Sequence, residues 1–190
     1  MNHLGTVELT TNRLCLRRFT LMDVEKSFRN WTSDEKVTKF LRWNTHQSVE
    51  ETKRVIGNWC DRYDNQTFYQ WAIVLKEEPL LGPIGTISVN RFDDTIQMAH
   101  LGFCIGSAWW NNGITSEALS EIIRFLFDEM HANRIESWHD PQNIYSGKVM
   151  SKCGMEYEGT LKSGDYSNRG IVDACVYAII ASEYRKTARG

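Results

Sequence analysis

The sequence predicts a mixed α/β fold, and three features of its patterning predict it. Helical spacing dominates the first third of the chain, strand-like runs begin at Tyr69, and a strong amphipathic helix lies between two strands near residue 100. Leu14-Cys15-Leu16-Arg17 alternates and reads as a strand. Thr20 and Asp23 then start a short helix to Trp31, with Val24, Phe28 and Trp31 on one face. Thr32 and Glu35 form a second capping-box spacing. Ser48 and Glu51 form a third, which opens a helix from about Val49 to Tyr63 with Val55, Ile56, Trp59 and Tyr63 in its stripe.

The strands follow. Tyr69 to Leu75, Ile84 to Val89 and Met98 to Ile105, separated by turns at Glu77-Glu78-Pro79 and Asp93-Asp94, read as an antiparallel meander. After a polar and aromatic loop from Gly106 to Gly113, Ala118, Leu119, Ile122, Ile123, Leu126 and Met130 mark one broad buried helix face. Arg134 to Trp138 reads as a strand, and the strand-helix-strand unit implies local parallel pairing. Asn143 to Cys153 is helical, closed by Gly154. Met155 to Leu161 and Ile171 to Ile180 are the final strands, with a polar hairpin tip from Gly164 to Gly170. Without a repeat, linker or low-complexity stretch, residues 1–190 are expected to form a single domain.

Composition narrows the function. A net charge of -2 argues against general nucleic-acid binding, which needs a basic surface to displace counterions. The five cysteines, Cys15, Cys60, Cys104, Cys153 and Cys175, are odd in number and scattered, with no C-x-x-C pair. That disfavours both a disulfide framework and a zinc site, and fits a reducing compartment. No apolar run approaches the ~20 residues that cross a bilayer, and the first residues lack the pattern of a signal peptide. A cytoplasmic protein without nucleic-acid or membrane partners is expected.

Most of the chemistry lies in the turn Trp110-Asn111-Asn112-Gly113-Ile114-Thr115. A helix N-terminus presents unsatisfied backbone N–H groups and a partial positive charge. A glycine in the preceding turn lets a phosphate approach the backbone closely. Thr115 and Ser116 are the candidate caps of the helix that follows. Neither a Lys after the glycine nor a G-x-G-x-x-G is present, so the nucleotide-binding motifs are absent.

The segment Ala99-His100-Leu101-Gly102-Phe103-Cys104-Ile105-Gly106, then Trp109 through Leu119, resembles the acetyl-CoA site of the GNAT acetyltransferase superfamily. Within it, the chain is most similar to the branch of the ribosomal-protein N-terminal alanine and serine acetyltransferases. The resemblance continues in Asn143-Ile144-Tyr145-Ser146, Val149 to Met155, Glu158-Gly159, Asp173 and Tyr177. Upstream it takes in Thr11-Asn12-Arg13-Leu14, Leu16-Arg17 and Ser48 to Thr52, and so covers nearly the whole chain. The turn departs from the superfamily pattern Gln/Arg-x-x-Gly-x-Gly/Ala, since Trp110 holds the first position, Thr115 the last, and Gly113 is the one glycine match.

The resemblance implies a GNAT-like acyl-CoA N-acyltransferase fold, a mixed twisted sheet flanked by helices. It implies acetyl-CoA as acyl donor, no metal, and direct transfer to a primary amine in a ternary complex. The acceptor would be a protein N-terminus or a small-molecule amine, and a homodimer stays open. Backbone of Phe103, Cys104 and Ile105 would pair with the pantetheine arm, and Trp110, Asn111, Asn112, Gly113, Ile114 and Thr115 would hold the pyrophosphate. Asn143 and Ser146 would lie near the cofactor's sulfur.

Ser146 is the candidate proton donor to the leaving thiolate, with Tyr145 second. His100 stands where many relatives carry Glu and is the first candidate base, since an imidazole titrates near pH 6.5. Asp165, in the hairpin tip, is the second, and Glu158 and Glu117 are candidates acting through water. A covalent route through Cys104 lacks a histidine at supporting spacing. His131 and His139, without a carboxylate cluster, read as surface residues rather than metal ligands. Two other classes compete: a non-catalytic acyl-CoA sensor or scaffold, and a metabolite-binding α/β domain without CoA.

Overall fold

A computed structural model describes residues 1–187. Its strands are β1 (Leu9–Thr10), β2 (Leu14–Arg17), β3 (Tyr69–Leu75), β4 (Pro83–Asp93), β5 (Met98–Ile105), β6 (Arg134–His139), β7 (Glu156–Ser167) and β8 (Gly170–Ile180). The helices are α1 (Val24–Ser27), α2 (Glu35–Thr38), α3 (Val49–Cys60), α4 (Ile114–Asp128), α5 (Ile144–Lys152) and α6 (Ala181–Thr187). One eight-stranded sheet runs in the order β1-β2-β3-β4-β5-β6-β8-β7. Its neighbours are antiparallel except β5 and β6, which the α4 crossover brings side by side in parallel.

The β3 run is buried on both faces because helices cover the sheet on both sides. Tyr69, Trp71 and Ile73 face the larger core with Leu119, Ile122, Phe125 and Leu126 of α4. Phe68, Ala72 and Val74 face a second cluster with Phe19, Trp31 and Ile56 under α1 and α3. Each fully buried Leu or Ile of the α4 stripe contributes about 1.5–3 kcal/mol, so that helix is the principal anchor of the sheet.

Several boundaries differ from the sequence reading, each for an identifiable reason. The segment expected as one helix from Asp23 to Trp31 is a 3-10 turn at Leu21–Asp23, then α1, then a π-helical turn at Phe28–Thr32. Its opening holds: the Asp23 carboxylate accepts from the Thr20 N–H at 2.8 Å. The second capping box does not. Asp34 caps α2 instead, accepting from the Lys36 N–H and, at 3.2 Å, from the distant Ser107 N–H. Ser48 does cap α3, accepting from the Glu51 N–H at 3.3 Å, although Glu51 reaches back to Gln47.

At the end of the chain, α6 extends beyond the last expected strand. The β7–β8 hairpin is longer than its polar tip suggested, because tertiary contacts hold Asp165 and Asn168. No helix among the described residues is long and apolar enough to cross a membrane.

Candidate active site

The site begins where β5 and β6 part. Their parallel ladder runs from Met98↔Arg134 to Leu101↔Ser137 and stops there. Beyond it, β5 stays paired with β4 as far as Gly85↔Ile105, and β6 stays paired with β8. Gly102 to Ile105 therefore keep a backbone edge with no strand against it. This is the stretch assigned to a pantetheine arm, and an extended chain fits such an edge.

The turn from Trp110 to Thr115, the candidate phosphate site, lies beyond the end of that edge. Gly113 has φ +72°, the left-handed region that glycine occupies without a Cβ penalty, and Asn111 shares it at φ +63°. The helix starts earlier than the caps proposed from sequence: Gly113 is the N-cap of α4, and no side chain caps it. The first helical bond runs from the Glu117 N–H to the Gly113 carbonyl at 3.0 Å. Ile114, Thr115 and Ser116 thus lie inside the first turn, where their N–H groups precede any intrahelical acceptor. An anionic group fits there.

Two cations flank this turn, and neither was given a role from sequence. A Cβ on Gly113 would lie 3.7 Å from Arg13 Nη2 and 3.9 Å from Lys152 Nζ. Arg13 is fixed by its other nitrogens: Nε donates to Glu117 Oε2 at 2.6 Å and Nη1 to the Asn112 carbonyl at 3.0 Å. Burial by itself would raise the Glu117 carboxyl, but hydrogen bonds from Thr11 and Arg13 hold it below its ordinary range. Glu117 is therefore a tether of the turn, and it does not line the cavity described next. The only sequence signal for Arg13 and Lys152 was their place inside segments that carry the resemblance.

On the other side of the parted strands lies a cavity of about 550 Å³. His100, Phe103, Cys104, Asn143, Ser146 and Asp165 all line it, so the tertiary fold gathers these candidates from three distant segments. Tyr145 and Ile105 are not among its lining residues. Tyr145 is 63% exposed, with the Lys148 ammonium 5.4 Å from its ring centre, while Ile105 is buried in the larger core. The turn residues Trp110 to Thr115 also lie outside the cavity, consistent with a cofactor that spans both places.

Ser146 and Asn143 meet on α5, where Asn143 Nδ2 donates to Ser146 Oγ at 3.0 Å. That contact leaves the Ser146 O–H free to donate. His100 pairs with Glu136 across the strand ladder, Nδ1 to Oε1 at 3.4 Å. Asp165 does not stand free as a base: Arg42 Nη2 donates to it at 2.6 Å in an ion pair. Glu158 is held in the same way by Arg134, whose hydrogen bond lowers its carboxyl, and it does not line the cavity.

Burial pushes the Cys104 thiol up to about 12, which makes it a poor nucleophile. Of the two histidines read as surface residues, His131 is exposed. His139 is not: its Nδ1 donates to the Asp140 carbonyl at 2.8 Å and its Nε2 is buried. Among the described residues, His, Cys, Asp and Glu side chains form no group of metal-site size.

The cavity has an aromatic wall of Trp31, Trp43, Trp59 and Trp138 and a neutral polar floor of Gln70, Thr86, Ser88 and Asn90. The β7–β8 hairpin roofs it. Asn168 Nδ2 donates to the Thr38 and Trp43 carbonyls, and Arg169 binds Asp140 and Gln142.

Residues 13–156 match the family model described as an acetyltransferase (GNAT) domain. The uncharacterized N-acetyltransferase p20 of Bacillus licheniformis is 28% identical over 93% of this chain and 97% of its own length. The ribosomal protein uS5-alanine N-acetyltransferase of Escherichia coli is 32% identical over 50% of this chain and 48% of its own. Among solved structures, the microcin C7 self-immunity acetyltransferase, in complex with acetyl-CoA and AMP, superposes with a TM-score of 0.80. It is 19% identical, over 90% of this chain and 93% of that one, and is a likeness of fold.

Proposed function

The chain belongs to the GNAT acetyltransferase family, and from that premise we propose that it moves an acetyl group from acetyl-CoA to a primary amine by direct transfer. The observation that carries this reading is that His100 and Ser146 line one cavity at the parting of β5 and β6. Acetyl-CoA supplies the activated acetyl group. Its pyrophosphate would rest on the N–H groups of Gly113 to Ser116 between Arg13 and Lys152, and its pantetheine along Phe103 to Ile105. Residues 1–190 act as one such domain.

The chain's own side chains then have separate tasks. His100 Nε2 takes a proton from the acceptor ammonium, so that the amine nitrogen carries the lone pair that bonds to the acetyl carbon. A backbone N–H of Phe103 to Ile105 would face the thioester carbonyl oxygen and stabilise the negative charge that develops there. As the carbon–sulfur bond breaks, the Ser146 hydroxyl gives its proton to the sulfur, and the proton that the attacking nitrogen sheds in becoming the neutral amide restores it through solvent. The aromatic wall excludes water from these steps, and with Cys104 held as a thiol no acyl-cysteine is needed.

The acceptor is a small amine or a protein N-terminus, the latter being the substrate class in the name of the E. coli relative. Two measurements test the reading. Acetyl-CoA raises the melting temperature, because a ligand that binds only the native state stabilises it. A panel of small amines and N-terminal peptides then consumes acetyl-CoA with release of free thiol. No stabilisation by acetyl-CoA would overturn donor use, and stabilisation without turnover of any amine would favour a sensor.

A further inference from the structure

We propose that Glu136 is the positioning residue of His100: it fixes the imidazole in the tautomer that presents Nε2 as a lone pair to the cavity. The inference rests on the reading of His100 as the base, and it begins from the strand register. His100 and Glu136 are direct partners in the parallel β5–β6 ladder, so their side chains leave the sheet side by side. This is the penultimate rung before the strands part, next to the place where the thioester would lie.

The contact has one polarity. A carboxylate only accepts, so the 3.4 Å approach of His100 Nδ1 to Glu136 Oε1 requires the proton on Nδ1. In the neutral ring Nε2 is then the lone-pair nitrogen. It meets no protein partner among the described residues, and it lies on a side chain that lines the cavity. At 3.4 Å the hydrogen bond is long, as such contacts commonly are before substrate tightens them.

Glu136 is itself held at both oxygens. Arg91 Nη2 donates to Oε1 at 3.0 Å, and Arg134 donates to Oε2 at 3.2 Å while also binding Glu158. A β-bulge at Asn90 puts Arg91 opposite His100 in the β4–β5 ladder. The imidazole is confined from the other side by Trp138, whose ring stands edge-on at 5.0 Å, with Arg91 5.5 Å from the centre of that ring. A carboxylate needed only to staple strands together would be served by its two arginines. The histidine contact is the part that the arginines do not explain.

The test uses nitrogen-15 NMR of the His100 ring and steady-state kinetics with the best amine of the panel, on the whole chain. Wild-type protein is expected to carry the proton on Nδ1, and Glu136→Gln to lose that preference. Glu136→Gln is expected to lower kcat about ten- to a hundredfold, within the range a general base contributes, with KM for acetyl-CoA within about twofold of wild type. Combined with His100→Gln, it is expected to add nothing, because residues that act as one unit are not additive.

Three results would overturn the proposal: a wild-type ring protonated at Nε2, losses that multiply in the double variant, or an unchanged tautomer and kcat in Glu136→Gln. The first requires no variant, so a Glu136 substitution that fails to fold leaves the proposal open to refutation. If His100→Gln alone costs nothing, the base reading fails and this inference with it. If His100→Gln costs activity and Glu136→Gln does not, only the inference falls.

Discussion

Arg42 donates to Asp165 at 2.6 Å and sets its guanidinium 4.9 Å from the centre of the Tyr166 ring, fastening the loop between α2 and α3 to the β7–β8 hairpin. The pair closes one side of the cavity roof and withdraws Asp165 from the role of free base. Arg42→Ala is expected to raise KM for the acceptor amine about fivefold, the loss of ~1 kcal/mol of positioning. KM for acetyl-CoA should stay within about twofold. Exposed ion pairs are worth about 0.2–1 kcal/mol, so the thermal melt should move little. A large drop in melting temperature would make the pair a scaffold element instead.

Ser146 and Tyr145 are neighbours in sequence but face different surroundings, and kinetics should separate them. Ser146→Ala is expected to lower kcat about tenfold or more, as loss of a proton donor does, with KM for acetyl-CoA nearly unchanged. Tyr145→Phe removes a hydroxyl from a side chain outside the cavity and should leave kcat alone. Steady-state kinetics on both variants decides which of the two hydroxyls serves the leaving group.

The proposed pyrophosphate site at Gly113 gives two separable outcomes. Lys152→Ala should raise Kd for acetyl-CoA about tenfold, equivalent to ~1.4 kcal/mol, and weaken its salt dependence, because a screened charge is lost. Gly113→Ala places a Cβ at φ +72° and should cost about 1–2 kcal/mol of stability. Isothermal titration with acetyl-CoA checks the first, and urea unfolding of the apo protein checks the second.

Acid should erode stability through Glu136. Hydrogen bonding to His100 first, and then to Arg134, holds its carboxyl at about 2, against burial, which raises it. A folded-state value below the unfolded one means that the contribution is fully present above the ordinary value of 4.5 and is lost as pH falls toward 2. Burial would raise Asp23 as well, but hydrogen bonds from Arg17 and Thr20 outweigh it, so its contribution also disappears on acidification. Urea unfolding between pH 6 and about pH 2.5 should show falling stability, and the deficit of Glu136→Gln should narrow across that window. A constant deficit would contradict the pairing.

Local pattern was enough wherever burial and periodicity agreed. Met98 to Ile105 has the limits read from its sequence, because a strand buried among strands and helices shows its apolar run directly. The α4 stripe is buried as its spacing implied, and the strand-helix-strand unit is parallel. Pattern was not enough where a distant group took over a local task. Thr32 does not cap α2: its hydroxyl meets that of Thr52, twenty residues on, at 2.8 Å, and Asp34 takes the cap. His139 looked like a surface residue until the Asp140 carbonyl and the packing near Gly147 were placed, where a Cβ would come within 2.8 Å of its ring.

The family and the glycine turn ahead of α4 were therefore written in the sequence: a glycine with positive φ before an amphipathic helix is a local feature, and local features survive in one dimension. The partners of the site were decided by tertiary structure. Glu136 reaches His100 only because β5 and β6 run parallel in one register, and Arg13 reaches the turn only because β2 lies beside the start of α4. Asp165 lost its freedom to an arginine more than a hundred residues earlier. Side-chain charges act over a few ångströms of space, whatever their separation along the chain, so which acid is paired and which base is free is settled by folding.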